Sequence, residues 1–168
     1  MSKLLKGAIV ALMIVGFTGC VSTSDIQVES AKSEKANLEG YKTYQIINES
    51  GVVSDTKGTN TATVDVEIKQ MIVTELAKKG KTQDVNDPDF FVAYLAGTDK
   101  DAVKVKLDKE GKETLQKAPE AAIVLMFVDA ETGSIIWIST AEGEVKGLPA
   151  DQAKKRINYA IKKMLAGV

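Results

Sequence analysis

The sequence contains no histidine, one cysteine and three prolines among its 168 residues. Without histidine, Ser-His-Asp and Cys-His catalysis are excluded, the commonest metal ligand is missing, and no side chain titrates naturally near neutral pH. Because Cys20 is the single cysteine, the chain cannot build a disulfide framework or a cysteine-rich zinc site by itself. Any catalysis would therefore have to use carboxylate, lysine, serine or tyrosine groups.

The net charge is also small, and the chain has few arginine and aromatic residues. The formal net charge is −1, from 22 basic and 23 acidic residues, and this gives no overall field that would attract nucleic acid. Arg156 is the single arginine, so bidentate anion clamps are scarce, and aromatic residues make up 5% of the chain. We expect no nucleic-acid partner. Apolar residues, at 44%, are sufficient for a packed core.

The N-terminus has the three parts of a secretory signal. Lys3 and Lys6 precede an apolar run at residues 8–17, and small residues follow that run. As a helix the run would span about 15 Å, half of the ~30 Å hydrocarbon core, so it is too short for a good membrane span. The segment predicts export and removal of residues 1–19.

The single cysteine lies at the end of this signal. The run Phe17-Thr18-Gly19-Cys20 resembles the lipobox of bacterial lipoproteins, which are cut before a cysteine that carries two or three acyl chains such as palmitate. This resemblance implies cleavage between Gly19 and Cys20 and lipid attachment to the Cys20 sulfur, and several acyl chains anchor a protein durably. The residue after the cysteine is Val21 and not Asp, and this resembles the pattern of Gram-negative lipoproteins that are sent to the outer membrane. The alternative is an ordinary cleaved signal with an incidental cysteine.

The residues after the signal are mostly polar. Residues 20–40, which begin with the cysteine, are rich in Ser, Lys and Glu and are typical of a tether, which could reach about 60 Å when extended. Ile26 and Val28 alternate with polar neighbours, and this pattern leaves open a short edge strand at residues 26–30. We find no repeat, and we expect residues 41–168 to form a single domain.

The rest of the chain mixes strand and helix patterns. Helical spacing of apolar residues over 63–79 and after Pro149 predicts two amphipathic helices. β-branched and aromatic runs predict strands at residues 41–47, 90–96, 103–107, 121–128 and 135–140. We therefore predict an α+β fold, with a largely antiparallel sheet of about five strands and two helices packed on one face. The other face would be covered by residues 108–118, by the N-terminal segment or by another molecule.

Several motifs follow one another along the chain. They are Cys20, Tyr41-Lys42-Thr43-Tyr44, Leu76-Ala77-Lys78-Lys79-Gly80, Pro88-Asp89-Phe90-Phe91-Val92-Ala93-Tyr94, Asp129-Ala130-Glu131-Thr132-Gly133-Ser134-Ile135-Ile136-Trp137 and the terminal helix. Together they resemble the DUF4136 family of bacterial envelope lipoproteins over nearly all of residues 20–166. The resemblance implies an envelope location and an α+β domain. It implies no catalytic residue, because the family is a domain of unknown function.

Two groups of carboxylates could carry chemistry. Asp84, Asn86, Asp87 and Asp89 lie close together, but Pro88 falls where a calcium loop needs a ligand, so turn formation explains them better. Glu75 projects into the apolar stripe of the first helix. A salt bridge from Glu75 to Lys79, or a snorkelling side chain, explains that position better than an acid with a raised pKa.

The sequence predicts no catalytic residue, no metal site and no cofactor. Our first hypothesis is a non-enzymatic lipoprotein of the cell envelope, anchored by lipid in the outer membrane with its domain in the periplasm. Its domain would bind an envelope protein or a second copy of the chain through an apolar face of the sheet. The alternatives are a hydrolase or transferase that uses carboxylate, lysine or serine chemistry, and a carrier of an apolar envelope ligand.

Overall fold

The computed structural model of the protein describes residues 21–34, 36–53, 61–97, 103–107, 113–117, 122–145 and 147–168. The two residues of the predicted cleavage and lipid site, Gly19 and Cys20, lie outside these ranges. The strands are β1 (Gln27–Lys32), β2 (Thr43–Ile46), β3 (Gly51–Val53), β4 (Thr82–Gln83), β5 (Phe90–Gly97), β6 (Val103–Leu107), β7 (Glu113–Lys117), β8 (Ala122–Asp129) and β9 (Ile135–Glu142). The helices are α1 (Thr61–Lys78) and α2 (Ala150–Met164), followed by a 3-10 turn at Leu165–Gly167.

The main sheet is mixed and has seven strands, so the prediction of a largely antiparallel sheet of about five strands was wrong. Its order is β1-β9-β8-β5-β2-β4, and β3 also pairs with β5. The pairs β1–β9, β9–β8 and β8–β5 are antiparallel. The pairs of β5 with β2 and β3, and of β2 with β4, are parallel. The mixed α+β class itself is confirmed.

The parallel pairs follow from the position of α1 in the chain. Strands β2 and β3 precede this helix and β5 follows it, so the chain crosses over through a helix before it returns to the sheet. A strand–helix–strand crossover returns the second strand parallel to the first, whereas a tight hairpin makes an antiparallel pair. Strands β8 and β9 form such a tight antiparallel hairpin, with Gly133 at a φ of 69° in its turn.

The folded domain begins before residue 41. Strand β1 pairs along its length with β9, from Gln27 opposite Glu142 to Lys32 opposite Trp137. Ala36 and Leu38 are buried in the core cluster. The short edge strand that the sequence left open is therefore present, and β1, Ala36 and Leu38 belong to the domain rather than to a tether.

Both helices pack on the same face of the sheet. The buried side chains Ile68, Ile72 and Leu76 lie four residues apart on α1, which places them on one stripe of the helix. Ala160, Ile161 and Met164 form the corresponding stripe of α2. These stripes share one core with the inward side chains of the sheet, among them Phe90, Val92, Tyr94, Leu125, Phe127 and Trp137. Neither helix of the described chain is long and apolar enough to cross a membrane.

The opposite face of the sheet is covered only in part. Val124 and Ile138 point away from the helices and are nevertheless buried. Strands β6 and β7 form a separate two-stranded sheet, and β6 contacts β8 and β9 without pairing with them. The β6–β7 hairpin therefore lies close to β8 and β9. Leu95, on the same face of the neighbouring strand β5, is 41% exposed.

Candidate functional site

An apolar pocket opens between one end of the sheet and the two helices. Its volume is about 60 Å³. Its walls are mostly small or β-branched residues from strands and helices, together with Glu142 and Arg156. We call this end of the domain, where β5 ends at Gly97 and β8 begins at Ala122, the pocket end.

Arg156 ties the start of the described chain to α2 at the pocket end. Arg156 is the single arginine of the sequence, and its side chain is only 6% exposed. The guanidinium donates hydrogen bonds to the backbone carbonyl of Ser22 and to a carboxylate oxygen of Asp25. The same Asp25 oxygen accepts a hydrogen bond of 3.2 Å from the backbone N–H of Glu144. The residues just after the predicted lipid site are thus fixed to the domain.

The charges of this anchor are complementary. The hydrogen bond from Arg156 lowers the pKa of the Asp25 carboxyl below its ordinary value, and the backbone N–H of Glu144 adds to the effect. The Asp25 side chain is 46% exposed, so water screens part of this attraction. The buried guanidinium depends on the carboxylate more than the exposed carboxylate depends on the guanidinium.

Gly143 allows the N-terminal segment to approach this closely. A Cβ at position 143 would lie 3.0 Å from a side-chain carbon of Ile26 and 3.4 Å from Nη2 of Arg156. The first distance is shorter than ordinary van der Waals contact, so a larger residue would push Ile26 away from the pocket wall. The glycine at this point is a packing requirement of the anchor.

A polar cluster lies at the opposite end of β5 and β8. The hydroxyl of Tyr41 donates a hydrogen bond to Asp129. The other carboxylate oxygen of Asp129 accepts bonds from the backbone N–H and the hydroxyl of Thr132, at 2.7 and 2.9 Å, and from the N–H of Glu131 at 3.0 Å. The bond to Asp129, reinforced by burial, raises the pKa of Tyr41 to about 12, and these donors lower the pKa of Asp129.

The carboxylates of residues 84–89 accept hydrogen bonds from backbone N–H groups. The turn that the sequence analysis favoured is found at Asp84, whereas Asp89 binds the start of β2, 46 residues earlier in the chain. Asp89 accepts bonds from the backbone N–H groups of Thr43 and Lys42, at 2.7 and 2.6 Å, and these bonds lower its pKa. Asp84 accepts bonds from the N–H groups of Asn86 and Asp87. Within the described ranges, no three carboxylate or cysteine side chains are grouped in a way that could hold a metal ion.

A buried lysine completes the polar cluster. Lys81 is 6% exposed, and its Nζ donates to the carbonyls of Leu38 and Tyr41 at 3.0 and 2.8 Å. Burial lowers the pKa of Lys81. Its ammonium also lies 5.9 Å from the centre of the Phe90 ring, within the range of a cation–π contact. Lys81 therefore fixes the segment that leads into β2.

Glu75 is buried as its position on the apolar stripe indicated, but its partner differs from the predicted one. Its carboxylate pairs with Lys78, three residues on, at 2.5 Å. The ammonium of Lys79 instead donates to the carbonyl of Val168 at 3.1 Å. The first contact lies within α1, and the second joins the end of α1 to the C-terminal residue.

The sequence analysis missed Arg156 and Lys81 as important residues. One signal for Arg156 was available, because it lies three residues after Ala153 and four before Ala160 and so falls on the apolar stripe of the terminal helix. Lys81 directly follows the helix-ending Gly80, and no pattern in the sequence marks it as buried.

The sequence matches the family model described as "Domain of unknown function (DUF4136)" over residues 28–167. The chain belongs to the DUF4136 family. A solved DUF4136 protein from Bacteroides thetaiotaomicron has a similar fold, with 12% identity, a TM-score of 0.54, and coverage of 83% of this chain and 95% of that one. A PDZ domain protein from Parabacteroides distasonis is also similar, with 16% identity, a TM-score of 0.52, and coverage of 84% of this chain. This DUF4136 chain spans only 36% of that second protein. No curated protein matches the sequence.

Proposed function

We propose that this DUF4136 protein is a lipid-anchored protein of the bacterial envelope whose domain acts by binding a protein partner. The observation that supports the lipid anchor is the position of the one cysteine of the sequence. It follows Phe17-Thr18-Gly19 at the end of a signal-like segment. By analogy with Gram-negative lipoproteins, Val21 at the next position directs the protein to the outer membrane, with the domain in the periplasm.

The contacts of the titratable groups support binding rather than catalysis. Asp89, Asp129 and Lys81 all have shifted pKa values, which is a common mark of active sites. Their hydrogen-bond partners, however, are largely backbone groups of neighbouring segments. A hydrolase or transferase would have to break these bonds before it could use the groups.

The size of the pocket argues against a carrier of an apolar ligand. Pockets that enclose a ligand of ordinary size have volumes of roughly 300 Å³ or more. The pocket between the sheet end and the helices has about 60 Å³, which accommodates only a few heavy atoms. Binding of a whole lipid molecule there would require the helices to separate.

The face of the sheet opposite the helices supplies the binding surface of this proposal. Phe91, Ala93 and Leu95 alternate on the outer side of β5, and Met126 and Val128 lie opposite them on β8. All five side chains are at least partly exposed. A row of exposed apolar side chains beside a covered region is typical of a protein contact, made with another envelope protein or with a second copy of the chain.

Cross-linking in intact cells, followed by mass spectrometry, tests the binding proposal. We expect cross-linked peptides from β5 and β8, and a Leu95→Ser variant should lose most of them. Val66→Ser is the matched control, because Val66 is 66% exposed on α1, away from this face. Equal cross-linking in both variants would contradict the assigned surface. A monomeric, uncross-linked protein that turns over a substrate would overturn the binding proposal itself.

The lipid anchor on Cys20 has a separate test. We expect the mature protein to begin at Cys20 and to carry the mass of two or three acyl chains. A Cys20→Ser variant should leave the membrane fraction as uncleaved or soluble protein. An unmodified Cys20 in the mature protein, or unchanged fractionation of the variant, would contradict lipid anchoring.

A further inference from the structure

We propose that the pocket end of the domain is held against the bilayer in a fixed orientation by the Arg156 anchor. The partner of this surface is the lipid membrane to which the chain is attached. The inference rests on the proposed lipidation of Cys20 and adds to it the orientation of the domain and the residue that sets it.

The first step concerns the length of free chain. Arg156 binds the carbonyl of Ser22, and Ser22 follows Cys20 by only two residues. Two residues span at most about 7 Å. The lipid on Cys20 enters the bilayer directly, so the anchor point cannot move farther from the lipid head groups than this short span and the cysteine side chain allow. The long tether expected from composition is thereby reduced to two residues.

The second step asks what would happen without the anchor. The next continuous attachment is β1, which begins at Gln27 opposite Glu142. Release of both Ser22 and Asp25 would therefore add five residues to the free chain, or about 17 Å of reach when extended. Asp25 and Ser22 together act through Arg156 as positioning residues for the whole domain.

The third step identifies the surface that meets the membrane. The backbone of Glu144 binds the same Asp25 carboxylate as Arg156, so the loop after β9 lies beside the anchor. Glu144 is exposed, and Val145 is partly exposed and lines the pocket. Glu131 marks the other end of the domain, in the turn between β8 and β9. The eight residues of β8 separate the two ends by about 23 Å.

Charge does not explain contact at this end. Asp25 and Glu144 lie close to the anchor and would be repelled by anionic lipid. The contact we infer is imposed by the short covalent connection, so it should be insensitive to salt. A contact made by attraction between surface charges would weaken as ionic strength rises.

The experiment uses the full-length lipidated protein in vesicles of phosphatidylcholine and phosphatidylglycerol that carry a nitroxide on some head groups. Glu144→Cys and Glu131→Cys variants receive a thiol-reactive fluorophore, because the lipidated Cys20 no longer has a free thiol. The two labelled positions are matched, since each replaces an exposed glutamate. We expect strong quenching of the label at position 144, with or without 0.5 M salt, and little quenching at position 131.

Two further changes test the role of the anchor. Arg156→Gln should reduce quenching at position 144 to near the value at position 131, whereas Lys155→Gln, which removes the same charge from an exposed neighbour, should leave it unchanged. Insertion of ten Gly and Ser residues between Val21 and Ser22 adds about 17 Å of mean reach outside the folded domain. We expect this insertion to abolish the quenching even if Arg156→Gln fails to fold.

The masses of the proteins separate the possible failures. A wild-type protein without lipid would overturn both the proposed anchor and this inference. A lipidated protein with equal quenching at the two positions would overturn the orientation alone. Quenching at position 144 that survives the insertion, or that disappears in salt, would also contradict it.

Discussion

The hydroxyl of Tyr94 donates a hydrogen bond of 2.7 Å to the carboxylate of Asp65 and so joins the central strand β5 to helix α1. Helix α1 begins at Thr61, and Asp65 lies just beyond its first turn, on the side that faces the sheet. Burial and this bond both raise the pKa of Tyr94.

Tyr94→Phe should destabilise the domain by about 1–2 kcal/mol, because a hydrogen bond to a charged group is lost at a buried junction. The measurement is the free energy of unfolding in urea. Tyr159→Phe is the control, since Tyr159 is only partly buried, and we expect a change within about 0.5 kcal/mol. Equal effects of the two variants would show that the Tyr94 bond contributes nothing specific.

Lys81→Met should cost about 1–3 kcal/mol, because the carbonyls of Leu38 and Tyr41 lose their donor where water has poor access. Urea unfolding again gives the value. Lys42→Met removes an exposed ammonium nearby and should be close to neutral. A stabilised Lys81→Met variant would mean that the cost of burying the ammonium exceeds the value of its two bonds.

The hydroxyl of Tyr41 should ionise at a higher pH than that of an ordinary tyrosine. Its pKa is raised to about 12 in the folded protein, so its bond to Asp129 stabilises the fold fully below about pH 10. That contribution is lost as the pH rises from about 10 to 12. We expect the absorbance titration of the tyrosines to lose a component near pH 12 in Tyr41→Phe. In Asp129→Asn that component should move toward pH 10, and an unchanged titration would contradict the assignment.

Phe127→Ala should destabilise the core by about 3–5 kcal/mol, through lost burial and the cavity that remains. The ring of Phe127 lies 4.6 Å from the Trp137 ring, measured between centroids. The emission of Trp137, the single tryptophan, should therefore shift to the red as water enters. Phe127→Leu should show the same changes at a smaller size. A blue-shifted emission that is insensitive to both changes would exclude this contact.

The elements of the fold could be read from the sequence because their apolar residues follow regular periods. Helix α1 was predicted at residues 63–79 and is found at Thr61–Lys78, and Pro149 directly precedes α2 as expected. Strand β1 was harder to recognise, because it lies at an edge and most of its residues are exposed. A strand with so few buried positions has nearly the same composition as a tether.

The buried charges were beyond a reading of one sequence. Lys81 is stabilised by carbonyls some 40 residues away, and the partners of Arg156 are more than 130 residues away. Side-chain periodicity reports only local burial and contains no information about such partners. Parallel pairing of β2 and β5 was missed for a different reason, since the intervening helix had been recognised but its crossover was not used to set strand direction.

The pairing of β1 with β9 has a consequence for the biogenesis of the protein. Ser30 and Ser139 face each other across these strands and are separated by 109 residues of chain. During synthesis, β1 cannot pair with β9 until most of the polypeptide has been made. The closing of the sheet is therefore a late event in the synthesis of the chain.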